Sequence, residues 1–215
     1  MEPAKETLPI FLICGCRKYR EYLDAAIVRM SRPKWRTIGI VGDPECGVPR
    51  LEGSILTLPV PDMYEALPYK LYSAYKWVYE NFPKVPGIYK TDDDIVYPSM
   101  KDLTRAITKL QDKPYWGLFV GICPENEVNP VRIAERFEDK TLKPRHQSAI
   151  YTYGAGYWLS RKALAVIAVA EKEYASSALE DVCTGYVLNR AGWKPMHVPV
   201  AFVEVARGPE LLAYK

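Results

Sequence analysis

The stretch GIYKTDDDIVYP, residues 87–98, decides how the rest of the chain is read. Pro86-Gly87 breaks what precedes it, and Ile88-Tyr89-Lys90-Thr91 then runs as a strand into three consecutive carboxylates. Pro98 is placed to open a helix at its first turn. A strand ending in acidic residues and followed by a helix is a unit of an open α/β sheet, and such sheets bind ligands at the carboxyl ends of their strands. Three adjacent carboxylates repel one another, and a divalent cation with oxygen ligands relieves that repulsion. In extended chain Asp92 and Asp94 point to one side and Asp93 to the other. One side is then free for a metal and a diphosphate, the other for a ribose hydroxyl. A solvated acidic turn is the alternative reading of the same residues.

Working outward, the same alternation of strand and helix recurs. Leu8 to Cys14 is a continuous apolar run, as in a strand buried on both faces. Lys18 to Met30 has helical spacing, and Thr37 to Val41 and Ile55 to Val60 read as strands. After Pro68, Leu71, Ala74, Tyr75, Val78 and Phe82 form one apolar stripe of a helix. Pro98 opens a helix with Leu103, Ile107 and Leu110 inward. Trp116 to Ile122 and Ala149 to Leu159 read as strands, Arg161 to Tyr174 and Val182 to Arg190 as helices, and Lys194 to Val205 as a terminal strand. The polar, irregular segment from Pro124 to Ser148 reads as loop with at most one short helix. This order predicts an α/β fold, one domain over residues 1–215, with a mostly parallel central sheet flanked by helices.

Composition narrows the classes. The chain has 215 residues, 48% of them hydrophobic, enough for one sizeable core and too many for disorder. A net charge of +3 argues against a nucleic-acid partner. The longest uncharged apolar run, Ala163 to Ala170, is far too short to cross a membrane, and the apolar stretch near the start lacks a signal-peptide cleavage pattern. Five cysteines without framework spacing predict free thiols in a reducing, cytoplasmic compartment. The turn at Gly15 carries neither a dinucleotide-binding nor a P-loop pattern.

Four further features carry chemistry. Glu180-Asp181-Val182 precedes a helix, so Asp181 is either a cap or a general base. The helix dipole favours its ionised form, which predicts an available but weakly basic carboxylate. Gly154 and Gly156 in a strand pattern mark either a bulge or close approach by a ligand. His197 in the terminal strand is either a core residue or a ligand suited to Mn²⁺. Arg17 and Arg20, just past the first strand, are within reach of phosphate or are ordinary surface arginines.

Taken in order, these segments resemble the β-1,3-galactosyltransferase and Fringe-like glycosyltransferases. The resemblance rests on Asp62, Tyr64, Leu67, Lys70 and Trp77; on Lys90 with Asp92, Asp93 and Asp94; on Gly154, Gly156, Tyr157, Leu159 and Ser160; and on Glu180, Asp181, Val182 and Gly185. It spans about Asp62 to Gly185. It implies a GT-A fold, a nucleotide-sugar donor (usually UDP-linked), a Mn²⁺ or Mg²⁺ cofactor, inversion at the anomeric carbon, and a glycan or glycoprotein acceptor. By the same resemblance Asp94 binds the metal and His197 completes its site. Asp181 is the catalytic base, Asp93 lies near the ribose, and Lys70, Asp92, Gly154 and Gly156 line the donor; Arg17, read from its place after the first strand, joins that donor set. The relatives are usually longer, membrane-anchored and disulfide-bonded, and this chain shows neither an anchor nor paired cysteines.

The resulting expectation is metal-dependent inverting sugar transfer, with Lys140, Lys143 and Arg145 on a loop that closes over the donor. Two rivals stand beside it. A nucleotidyltransferase would form a nucleotide-sugar, but needs a better triphosphate loop than Cys14-Gly15-Cys16-Arg17-Lys18. A non-catalytic sugar-binding domain of the same fold would have little need of the intact aspartates.

Overall fold

A computed structural model of the chain describes residues 7–124, 136–139 and 148–214. The first half contains β1 (Ile10–Cys14), α1 (Arg20–Met30), β2 (Arg36–Gly42), β3 (Arg50–Glu52), β4 (Ile55–Leu58) and α2 (Leu67–Asn81). The middle contains β5 (Gly87–Asp92), β6 (Ile95–Val96), α3 (Met100–Leu110), β7 (Tyr115–Gly117) and β8 (Val120–Cys123). Then follow β9 (Ala149–Thr152), β10 (Gly156–Ser160), α4 (Arg161–Ile167), α5 (Glu171–Ala175) and α6 (Glu180–Arg190). The described chain closes with β11 (Met196–His197), β12 (Val203–Glu204) and α7 (Pro209–Ala213).

The main sheet has eight strands in the order β11-β7-β10-β5-β1-β2-β4-β3. Within it β1 pairs in parallel with β2 and β5, β2 with β4, and β7 with β11, whereas β10 and β3 run against their neighbours. This is the mostly parallel α/β sheet predicted from the strand–helix alternation. All five residues of β1 are buried, which is why its sequence is unbroken apolar rather than alternating.

Helices cover both faces. The stripe Leu71, Ala74, Tyr75 and Val78 of α2 is fully buried, and Phe82 nearly so, against Ile10, Leu12, Ile38, Ile40 and Ile88. On the other face Leu23, Ala26 and Met30 of α1 and Leu103 and Ile107 of α3 pack on Phe11, Ile13, Tyr89, Trp116 and Trp158. Each of the buried Leu, Ile, Val, Phe and Met side chains contributes about 1.5–3 kcal/mol by burial, and the two layers hold β5 from both sides. Helix starts follow local chemistry: the Ser99 side chain accepts from the Asp102 amide, and Ser160 accepts from the Ala163 amide.

Several expected elements divide. The strand expected over 116–122 breaks at Leu118-Phe119, and β8 leaves the main sheet to form a two-stranded ribbon with β9. The strand expected over 149–159 turns at Tyr153–Ala155, and the helix expected over 161–174 is interrupted before Glu171. The long terminal strand is reduced to β11, on the sheet edge, and β12, which pairs with β6. For the strands, a change of pairing partner ends the element: β7 pairs with β10 but β8 with β9, and β11 pairs with β7 but β12 with β6. Among the described residues no helix is long and apolar enough to cross a membrane, and no disulfide is present.

Candidate active site

The carboxyl ends of β1, β2 and β5 lie together, and the amino end of the antiparallel β10 joins them. Cys14 is in register with Asp92, Gly156 with Thr91, and the Asp93 amide donates to the Cys14 carbonyl at 3.1 Å. The ends of several strands therefore converge where the aspartates sit, as in other open α/β sheets.

The triple does not keep the alternation of extended chain. β5 ends at Asp92 and the chain turns at Asp93-Asp94. Asp92 faces Lys90, with Nζ at 2.8 Å from Oδ1. Asp93 and Asp94 instead share the guanidinium of Arg207, at 2.6 Å and 3.6 Å. Asp93 is fully buried; its Oδ2 has no hydrogen-bond partner, and burial pushes its carboxyl up. A fully buried Asp93 does not face a ribose hydroxyl, contrary to the expectation from sequence; the tight turn, absent from an extended strand, is the reason. Asp94 remains partly exposed, and burial together with neighbouring Asp92 raises it to about 6.

Lys90 organises the opposite wall. Its ammonium is buried and donates to the Gly154 carbonyl and to Glu180 Oε1, both at 2.8 Å, besides its pairing with Asp92. Glu180 is itself buried, and its Oε2 accepts from the Tyr157 hydroxyl at 2.7 Å, which meets the Tyr75 hydroxyl at 2.5 Å. One lysine thus ties the end of β5 to the turn before β10 and to the start of α6. A buried lysine stays charged only if its partners are carboxylates, and Asp92 and Glu180 hold its pKa well above the ordinary lysine value against the opposing effect of burial.

Asp181 sits beside this pair, in the first turn of α6. The cap position belongs to Leu179, which offers no side-chain oxygen. The Asp181 carboxylate accepts from the Val182 amide at 2.8 Å and from the Gly154 amide at 3.2 Å. It bridges the helix to the turn before β10 and leaves part of its surface open. Burial, then the charge of Glu180, raise it to about 7, outweighing Lys90 and the two amides. The weak base expected from the helix dipole is thus corrected: at a recessed site, desolvation and a like charge exceed the dipole.

The two glycines have different neighbours. A Cβ on Gly154 would lie 3.0 Å from Glu180 Oε1 and 3.2 Å from Lys90 Nζ, so the glycine lets the buried ion pair approach the turn. A Cβ on Gly156 would lie 2.3 Å from the Tyr89 hydroxyl and 2.7 Å from that of Tyr97. Gly156 is buried under those rings and serves packing, not an open face. Thr91 and Tyr97 both donate to the Ala155 carbonyl, at 2.8 and 3.0 Å, which fixes the turn between them.

Lys70 points into the fold. Its ammonium, buried in α2, donates to Asp62 Oδ1 at 2.7 Å and to the Gly15 carbonyl at 2.8 Å. Asp62 also accepts from the Gly42 amide at 2.9 Å and from the Arg17 amide at 2.5 Å. Together they pin the loops after β1 and β2. The Arg17 side chain is exposed at the rim and pairs with Asp43 at 3.0 Å.

His197 is exposed on the edge strand β11, in register with Gly117 of β7, which pairs with β10 and so lies two strands from β5. It is not brought to Asp94. Among the described residues no three His, Cys, Asp or Glu side chains form a metal cluster. The donor set nonetheless fits a hard divalent cation at Asp94: its carboxylate is partly exposed, and burial together with the neighbouring Asp92 raises it. Such ions are commonly held by one or two carboxylates plus substrate phosphates. Lys140, Lys143 and Arg145 lie outside the described residues.

Glu180 and Arg207 are the residues that the sequence reading did not single out as site residues. Glu180 had a signal, an acid next to Asp181 at the start of an apolar-faced helix. Arg207 had none.

No curated protein sequence matches the chain. Among solved structures, 4-diphosphocytidyl-2C-methyl-D-erythritol synthase from Anaerococcus prevotii is similar in fold, with a TM-score of 0.51 and 9% identity, covering 96% of this chain and 94% of that one. A protein assigned as a glucose-1-phosphate thymidylyltransferase from Bacillus anthracis aligns with a TM-score of 0.49 and 11% identity, over 92% of this chain and 89% of that one. At such identities the likeness concerns the fold alone. Residues 49–199, which contain the aspartate triple, both glycines and Glu180-Asp181, match the family described as Galactosyltransferase, and the chain belongs to that family.

Proposed function

We propose that this glycosyltransferase moves a sugar from a nucleotide-linked donor, UDP-linked in the first instance, to a hydroxyl of a glycan or glycoprotein, with inversion at the anomeric carbon. We propose the whole chain as one catalytic domain, working with Mn²⁺ or Mg²⁺ at Asp94. The unjoined thiols support a reducing, cytoplasmic setting.

The observation that carries this reading is Asp181: a partly open carboxylate raised to about 7, on the same sheet end as the aspartate triple. A base with a pKa near the working pH is suited to accepting a proton during bond formation. As the acceptor oxygen bonds to the anomeric carbon, its proton passes to Asp181 and the bond from that carbon to the diphosphate oxygen breaks. When bound, the cation supplies charge neutralisation of the departing diphosphate. Lys90, Glu180 and Gly154 hold the base in place, while Asp62 and Lys70 hold the loops after β1 and β2 where donor phosphates would approach.

A screen of nucleotide-sugars with Mn²⁺ for thermal stabilisation, followed by transfer assays on the stabilising donor, tests the proposal. The expected result is stabilisation by a UDP-sugar and transfer that Asp181→Asn abolishes. Pyrophosphate release from a nucleoside triphosphate, with no transfer from any nucleotide-sugar, would replace this reading with nucleotidyl transfer.

A further inference from the structure

Arg207 stands at the aspartate triple without belonging to any element of the main sheet. It follows β12 and precedes α7, on a segment held lightly. The β12–β6 ladder is two residues long, and both residues of β12 are exposed. Beyond it, the Val205 amide donates to the Asp94 carbonyl at 2.9 Å, and Leu211 is the one buried residue of α7. Arg207 itself lies over the Tyr19 ring at 4.8 Å and reaches Asp93 at 2.6 Å and Asp94 at 3.6 Å. Asp93 is fully buried with Oδ2 unpartnered; among the described residues the Arg207 guanidinium pairs with its carboxylate, while the buried Arg29 guanidinium donates to its backbone carbonyl at 3.1 Å.

We infer that Arg207 is an internal counter-ion of the triple, exchanged for the divalent cation when that ion binds, and that the segment from Val203 to Ala213 is released with it. The inference rests on the cation reading proposed above. A dication ligated by Asp94 would have as its neighbour a guanidinium already 3.6 Å from the same carboxylate, and two cations sharing one carboxylate repel each other, the more so as the site is screened less than bulk water. The two cations therefore compete for one carboxylate. A segment with few buried contacts is the part of a fold that yields at least cost. Once released, the guanidinium is free to pair with donor phosphates, a geometry arginine suits. Arg207 is thus a positioning residue that couples metal entry to the mobility of the C-terminal segment.

The test measures Mn²⁺ binding to the full chain without donor, by electron paramagnetic resonance of free Mn²⁺, for the wild type, Arg207→Gln and Arg207→Lys. Arg207→Gln should bind Mn²⁺ at least about tenfold more tightly than the wild type, and Arg207→Lys should stay near the wild type. Equal or weaker binding by Arg207→Gln overturns the inference while leaving the cation reading intact. Absence of Mn²⁺ binding in all three proteins, with donor present as well, overturns both. Should Arg207→Gln fail to fold because Asp93 is left buried and uncompensated, Arg207→Gln combined with Asp93→Asn removes that charge and is measured instead, against Asp93→Asn alone. Hydrogen exchange on the wild type gives an independent readout: Mn²⁺ should speed exchange of the Val205 amide and its neighbours. Unchanged protection there under saturating Mn²⁺ would also overturn the inference.

Discussion

The Lys90 ammonium lies 2.8 Å from Glu180 Oε1, and both side chains are buried. The pair joins the central strand to the helix that carries Asp181. Removing one partner leaves the other charge without compensation in the core, so Lys90→Met and Glu180→Gln should each cost about 3–5 kcal/mol. Urea denaturation of both variants and of the double variant checks this. The double variant should be less destabilised than the sum of the two, since the pair acts as a unit.

Asp181→Asn keeps the hydrogen-bonding shape but cannot accept a proton. Donor affinity, measured by calorimetry with a UDP-sugar and Mn²⁺, should stay within a few fold, and transfer should fall by about 10²-fold or more. Near-normal transfer would assign the base elsewhere.

The raised carboxyl of Asp181 has two pH consequences. Activity requires the ionised form, so kcat/KM should climb as pH rises through about 7, and that limb should be absent from any residual activity of Asp181→Asn. Stability runs the opposite way. The folded pKa lies above the ordinary carboxylate value of 3.8, so the folded state holds the proton that the unfolded chain releases. The resulting penalty is absent below 3.8, grows as pH rises, and is complete above about 7. Asp181→Asn should therefore raise the melting temperature at pH 8, with the gain vanishing towards pH 4.

Asp94 and His197 make a discriminating pair. Asp94→Ala should abolish Mn²⁺-dependent donor binding, and chelator should stop the wild-type reaction. His197→Ala should leave Mn²⁺ dependence unchanged, since its strand lies three places from β5. Titrating Mn²⁺ against the initial rate of each variant separates the two.

Much of this was legible in the sequence. The apolar runs at Leu8–Cys14 and Thr37–Val41, the α2 stripe and the strand entering Asp92 are local patterns, and each formed where its period placed it. Lys90 and the aspartates meet the glycines and Glu180-Asp181 because the carboxyl end of β5, the amino end of the antiparallel β10 and the start of α6 lie on one edge. Elements that changed sheets were not legible: the run from Trp116 to Ile122 stays apolar while its partner changes from β10 to β9.

The sequence by itself determined the alternation of strands and helices, the acidic end of β5 and the resemblance to a glycosyltransferase family, since these depend on residue type and spacing along the chain. The tertiary structure alone decided which charges meet. It paired Lys90 with Glu180, separated His197 from Asp94, buried Asp93 under Arg207 from the far end of the chain, and raised Asp181 instead of lowering it. Burial and through-space charge set those outcomes, and neither is a property of a residue's place in sequence.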